Sequence, residues 1–182
     1  MSTFSILSKA NSSLVSDYPF PHIIVRNAIP DYLAQSLTSN FPTDLFDHNK
    51  NNTRFDYSAL EVSQDKSLTS HWKEFIDYHS SESFFKEVLE VFKNHISRDD
   101  YKKYRNMKST KRGSEIHEED KMYLDAQISI NSPVTKTSSV RKIHVDNSNK
   151  LFSGLFYLRL PEDDSVGGNL ELFKWKDGYS LR

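Results

Sequence analysis

A chain of 182 residues with 36% hydrophobic and 13% aromatic side chains is long enough to bury one core without covalent staples. The absence of cysteine excludes disulfides, thiolate nucleophiles and cysteine zinc sites, and it fits a reducing compartment. A formal net charge of -1 gives no general attraction to nucleic acid, and no apolar run matches a bilayer span or a signal-peptide core, so the expectation is a cytoplasmic protein without nucleic-acid or membrane partners.

Residues 1 to 17, rich in Ser and Asn, read as an irregular lead-in. In "YPFPHIIVRNAIP", Pro19 and Pro21 impose extended backbone and Ile23 to Val25 predict a short β-branched strand. Asp31 is placed to cap a helix running to Ser39, with Leu33 and Leu37 four positions apart and Pro42 closing the segment. Residues 43 to 67 are polar with scattered aromatics (Phe46, Phe55, Tyr57) and predict no defined element. The spacing of Trp72, Phe75, Ile76 and His79 predicts a helix over Ser70 to His79, and Phe84, Phe85, Val88, Leu89, Phe92 and Ile96 predict a second over Ser81 to Ile96. This aromatic stripe reads as core packed across the back of a sheet rather than as a cofactor site.

The run from Arg98 to Lys121 is basic in its middle and acidic at its end, with Tyr101 and Tyr104 interleaved. It reads as a solvated loop or frayed helix rather than a nucleic-acid patch. At Met122 the apolar period becomes two. Leu124, Ala126, Ile128 and Ile130 alternate with Tyr123, Asp125, Gln127, Ser129 and Asn131, which predicts one strand with a buried apolar face. Two destinations stay open for its polar face, solvent or a polar pocket. "SPVTKTSS" reads as a turn or irregular loop, and "VRKIHVD" as the next strand.

In extended backbone His144 and Asp146 project together while Val145 points away. An imidazole beside a carboxylate is two thirds of the ligand set of a non-haem Fe(II) centre. After the polar turn Asn147 to Lys150, "LFSGLFYLRL" is apolar on nearly both faces and predicts a buried central strand. Tyr157, in phase with Leu155 and Ser153, points either into a pocket or into the core, where its hydroxyl would take a backbone partner. The acidic loop Glu162 to Asp164 leads to Gly167 and Gly168, which permit a tight reversal before Leu170, Leu172 and Phe173 resume the sheet.

Taken together, "HVDNSNKLFSGLFYLRLPEDDSVGGNLELFKW" resembles the iron(II)/2-oxoglutarate-dependent oxygenase family, in particular its prolyl-hydroxylase-like, phage and bacterial members. The order "PFPH" strand, "IPDYLAQSL" helix, "FP" is similar to the way many members begin. The resemblance implies an α+β fold with an incomplete jelly-roll (double-stranded β-helix) core and N-terminal helices packed on the sheet. It implies one domain, 1–182, in which 1–121 is mostly helical support and 122–182 the first part of the jelly-roll core. His144 and Asp146 would be iron ligands. Gln127, Ser129, Asn131 and Tyr157 would be contacts for the co-substrate 2-oxoglutarate. Arg54, Asp56 and Tyr57 would touch substrate at the site mouth, although the residues themselves favour an ordinary surface loop.

The family's distal histidine and the Arg or Lys that anchors 2-oxoglutarate lie well beyond the Gly-Gly turn. Here His144 is the last histidine, and Lys174, Lys176 and Arg182 come too early for the anchoring role. A jelly roll takes about eight strands, so the expectation is a chain lacking a C-terminal part. Completion of the site by His22, His71, His79 or His117 is the alternative, and each of these reads as a surface or satisfied core histidine. The implied function is an Fe(II)- and 2-oxoglutarate-dependent dioxygenase, a hydroxylase of a small-molecule or peptide substrate, or a fragment of one. The competing reading is a non-catalytic β-sandwich interaction module descended from an oxygenase, and a cupin-like isomerase or metal-binding protein ranks last. Whether the chain is itself an enzyme, and in what oligomeric state, is left open by the residues.

Overall fold

In a computed structural model, residues 2–45, 50–113, 121–132, 134, 143–147, 149–159, 166 and 169–174 are described. The Gly-Gly turn, the acidic loop Glu162 to Asp164, His117 and most of "SPVTKTSS" fall outside them. The described residues form an α+β structure. Five helices, α1 (Asp31–Ser39), α2 (Ala59–Gln64), α3 (Ser70–His79), α4 (Glu82–Phe92) and α5 (Arg98–Asn106), accompany four short strands, β1 (Arg54–Tyr57), β2 (Lys108–Lys111), β3 (Lys121–Leu124) and β4 (Ile128–Asn131). β1 pairs antiparallel with β4, Arg54 opposite Asn131 and Tyr57 opposite Ile128, and β2 pairs parallel with β3. No closed barrel occurs among the described residues, and none of their helices is long and apolar enough to cross a membrane.

α1, α3 and α4 are where apolar periodicity puts them. Leu33 and Leu37 of α1 and Trp72, Phe75 and Ile76 of α3 are buried in one cluster with Ile128 of β4. The Trp72 indole N–H donates to the Leu37 carbonyl at 3.1 Å, which ties α3 to α1. Asp31 is the first helical residue rather than the cap; Pro30 takes the cap position, and no side-chain hydrogen bond is made there. A carboxylate in the first turn is still favoured by the helix dipole. Ser81 caps α4 by accepting from the Phe84 N–H at 3.3 Å, so the helix begins one residue later than the spacing suggests. It stops at Phe92, and Ile96 packs from beyond its end.

Ahead of Met122, four segments differ from their sequence reading. The N-terminal residues are irregular but docked: Ser5 is 0% exposed, and Leu7 and Ala10 are buried against Phe84 and Val88 of α4. Ile23 and Val25 pack on the same cluster without joining a ladder; a lone bridge between Ser16 and His22 precedes them. Residues 43 to 67, unassigned from their polarity, contain β1 and α2, the latter opened by a capping box between Ser58 and Glu61. The run after Ser97 is a capped helix, α5, followed by β2. α5 buries none of its residues fully; Tyr101 and Tyr104 lean on the cluster of Phe85, Leu89 and Leu124.

The predicted strand from Met122 to Asn131 is two strands in two sheets. Its apolar phase survives, with Leu124 and Ile128 buried, but Asp125 to Gln127 leave the ladder, and Asp125 accepts from the Ala59 N–H at 3.2 Å. Bonding the start of α2 takes Asp125 out of pleated geometry and hands the chain from one sheet to the other.

A polar knot fixes the N-terminal segment to α3 and α4. His79 Nδ1 lies 2.7 Å from the Phe75 carbonyl and must carry the proton, which leaves Nε2 to accept from the Ile6 N–H at 3.3 Å. Glu87 accepts from Tyr78 Oη at 2.6 Å and from Ser5 Oγ. Burial pushes the His79 imidazole below its ordinary value of 6.5, against smaller upward pulls from the Phe75 carbonyl and Glu87. Above pH 6.5 the folded and unfolded chains both carry the neutral ring, and stability is fully present. As pH falls below 6.5 the unfolded chain takes up a proton that the folded chain resists, and stability is lost through the lower folded value. Thermal melts between pH 7.5 and 5 should therefore show a decline that His79→Gln flattens; a parent curve level across that range contradicts the assignment. Phe85→Ala, which opens a cavity beneath Phe152, should cost about 3–5 kcal/mol in urea unfolding.

Candidate metal centre

Residues 143–147 join no sheet among the described residues, so the predicted ligand strand has no ladder there. Ile143 is 75% exposed and Val145 is also exposed, in contrast to a buried strand. His144 and Asp146 are nonetheless brought together on one side, Nε2 to Oδ1 at 3.8 Å, with side chains 49% and 39% exposed. Two donor atoms bonded at about 2.1 Å near a right angle lie about 3 Å apart. Small rotations of these exposed groups close that difference, so the pair fits one ion.

The turn after Asp146 explains its orientation. Asn147 Oδ1 accepts from the Asn149 N–H at 3.0 Å and the Asn147 carbonyl accepts from the Lys150 N–H at 2.9 Å, which folds the chain back on itself. Returning, it brings Ser153 Oγ to 2.6 Å and Lys150 Nζ to 3.3 Å from Asp146 Oδ2. The Ser153 hydroxyl, and after it Lys150 and His144, holds the Asp146 carboxyl below its ordinary 3.8 against a smaller opposing effect of burial. It is therefore an anion at neutral pH, one oxygen anchored and the other facing the imidazole.

The segment 151–159 is not a central strand among the described residues. Phe152, Phe156 and Leu158 pack inward while Ser153, Leu155 and Tyr157 face out, Tyr157 at 66% exposure. Of its two possible destinations, then, Tyr157 is not in the core; it shares the side of Ser153. Leu170, Leu172 and Phe173 are likewise exposed and join no ladder among the described residues.

The other sequence candidates sit on β1, on β4 and on the link before β4. Gln127 sits in the link between β3 and β4 and donates to Asp125 Oδ2 at 3.0 Å, and Asn131 is exposed at the end of β4. Arg54, Asp56 and Ser129 form a cluster on the polar face of β1 and β4: Arg54 Nε to Asp56 Oδ1 at 2.6 Å, Ser129 Oγ to the same oxygen at 2.6 Å, and Arg54 Nη2 to Ser129 Oγ at 3.1 Å. Tyr57 faces the other way and donates to Asp65 Oδ2 at 2.9 Å. Sequence alone does not single out Ser153 and Lys150 as site residues. For Ser153 a signal exists, since the period-two pattern puts it in phase with Tyr157.

Among the described residues no group of three histidine or acidic side chains is gathered to hold an ion. The proposed substitutes are otherwise engaged: His79 with the Phe75 carbonyl, His71 Nδ1 with Ser36 Oγ at 2.5 Å, and His22 Nδ1 with the Phe20 carbonyl at 2.9 Å. No protein-family model, curated protein or solved structure matches the chain.

Because both side chains stand at the surface, neither supports the core. His144→Ala and Asp146→Ala should each shift stability by no more than about 0.5 kcal/mol. Urea denaturation of the two variants checks this; a loss several times larger would make the pair structural.

Proposed function

We propose that this chain carries the HxD portion of an Fe(II)- and 2-oxoglutarate-dependent dioxygenase, a hydroxylase built on a jelly-roll core. The observation that carries the reading is the division of labour at Asp146: Oδ2 is held by Ser153 and Lys150, while Oδ1 is turned toward His144 Nε2. An ionised carboxylate with one oxygen anchored and the other aimed at an imidazole suits two neighbouring coordination positions. The resemblance of "HVD", the polar turn and "GLFYLRL" to the oxygenase family supports the same ion.

His144 and Asp146 would hold the iron, and the bound group would supply oxygen activation coupled to oxidative decarboxylation of 2-oxoglutarate. The chain's own contribution is orientation. Asp146 gives a fixed negative charge, and the outward side of 151–159, which reaches Asp146 through Ser153, also exposes Leu155 and Tyr157. Tyr157 is the residue suited to a co-substrate carboxylate, since a phenol donates one hydrogen bond. Gln127 and Asn131 stand in the same proposed role from β4 and the link before it. The Arg54, Asp56 and Ser129 cluster is suited to a polar substrate.

A second reading, a non-catalytic interaction module of oxygenase descent, draws on the exposed apolar side chains Ile143 and Val145, which flank His144 in sequence, and Leu155. The two separate on one titration. The chain should bind Mn(II) stoichiometrically, and His144→Ala or Asp146→Ala should weaken that binding by more than about 100-fold, beyond what loss of a supporting hydrogen bond produces. Mn(II) binding indifferent to both substitutions sinks the metal assignment. No Mn(II) binding would favour the interaction module.

A further inference from the structure

Within the oxygenase reading, on which this inference rests, we propose that Ser153 is the positioning residue of the metal centre: its hydroxyl turns the Asp146 carboxylate so that Oδ1 faces His144. Oδ2 has two partners of unequal quality. Ser153 Oγ is 2.6 Å away on a one-carbon stem, whereas Lys150 Nζ is 3.3 Å away at the end of a flexible chain 52% exposed. A long, solvated ammonium loses side-chain entropy when held in one place and fixes little. The short hydroxyl bond sets the carboxylate plane.

Ser153 can do this because its own backbone is pinned by its neighbours. Phe152 stacks on Phe85 with ring centroids 6.3 Å apart and meets Phe84 edge-on at 6.5 Å. Phe156 packs on Phe75 at 5.2 Å. With Phe152 and Phe156 packed inward and half-buried, Ser153 stands outward with its hydroxyl on Asp146. The hydroxyl is also the right chemistry. It stabilises the carboxylate without adding charge, whereas Lys150 brings a positive charge that opposes a divalent ion at the same carboxylate.

The test is Co(II) titration of the full chain followed by visible absorption, whose bands report coordination geometry. Ser153→Ala should weaken Co(II) binding by about 10- to 100-fold and alter the spectrum. Ser153→Thr, which keeps the hydroxyl, should restore both, with urea midpoints unchanged throughout because the side chain is exposed. Lys150→Met should not weaken binding. Parent-like affinity in Ser153→Ala, failure of Ser153→Thr to restore binding, or equal losses in Ser153→Ala and Lys150→Met overturns the positioning role while leaving the metal site intact. A parent chain that binds no Co(II) overturns the oxygenase reading and this role with it.

Discussion

The packing of Phe152 and Phe156 against α3 and α4 is the constraint on which the rest of the candidate centre depends. Phe75, Phe84 and Phe85 form a row on two adjacent helices, and the two phenylalanines of the returning chain dock on it. Aromatic contacts of this kind combine a large buried area with preferred ring geometry. They therefore set both the position and the rotation of the segment. Everything on its other side, from Ser153 to Tyr157, is displayed by default. The Asn147 turn then brings Asp146 against that displayed side, and His144 stands beside it, Nε2 3.8 Å from Oδ1.

Much of the helical part was legible because its cause is local. Trp72, Phe75, Ile76 and His79 mark one face of α3 regardless of what covers it, and the same holds for Phe84, Phe85, Val88 and Leu89 in α4. The α+β class was legible for the same reason. Legibility ended where the determinant was distant. β1 is short and polar on one face, and it is a strand because β4 supplies its hydrogen bonds. Asp125 breaks the run from Met122 to Asn131 by bonding the backbone at the start of α2, a partner no periodicity announces. At "LFSGLFYLRL" the apolar count suggested burial on both sides; among the described residues Leu151, Phe152, Phe156 and Leu158 found helices to cover them, while Leu155 and Tyr157 did not.

The candidate centre divides along the same line. That His144 and Asp146 share a side is a property of three consecutive residues. That Oδ2 belongs to Ser153 and Oδ1 to the imidazole depends on a turn and on a docking event seven positions away. Arg54, Asp56 and Ser129 were each legible as candidates through the family resemblance; their gathering into one cluster was not, since it joins two strands across 75 positions of sequence.

That same separation bears on how the chain reaches its structure. α3 and α4 are joined through Ser80 and Ser81 alone, so their faces meet at almost no cost in chain entropy. Closing a loop of the size between β1 and β4 costs about 4 kcal/mol before any ladder bond forms. The hydrogen bonds of four residue pairs offset only part of that, and the rest waits on Ile128 reaching the core that the helices form. Elementary polymer physics thus favours an order of events in which the helical hairpin condenses first and offers its aromatic row as a template. The sheet, and with it the polar cluster on its face, is a late and contact-order-limited acquisition.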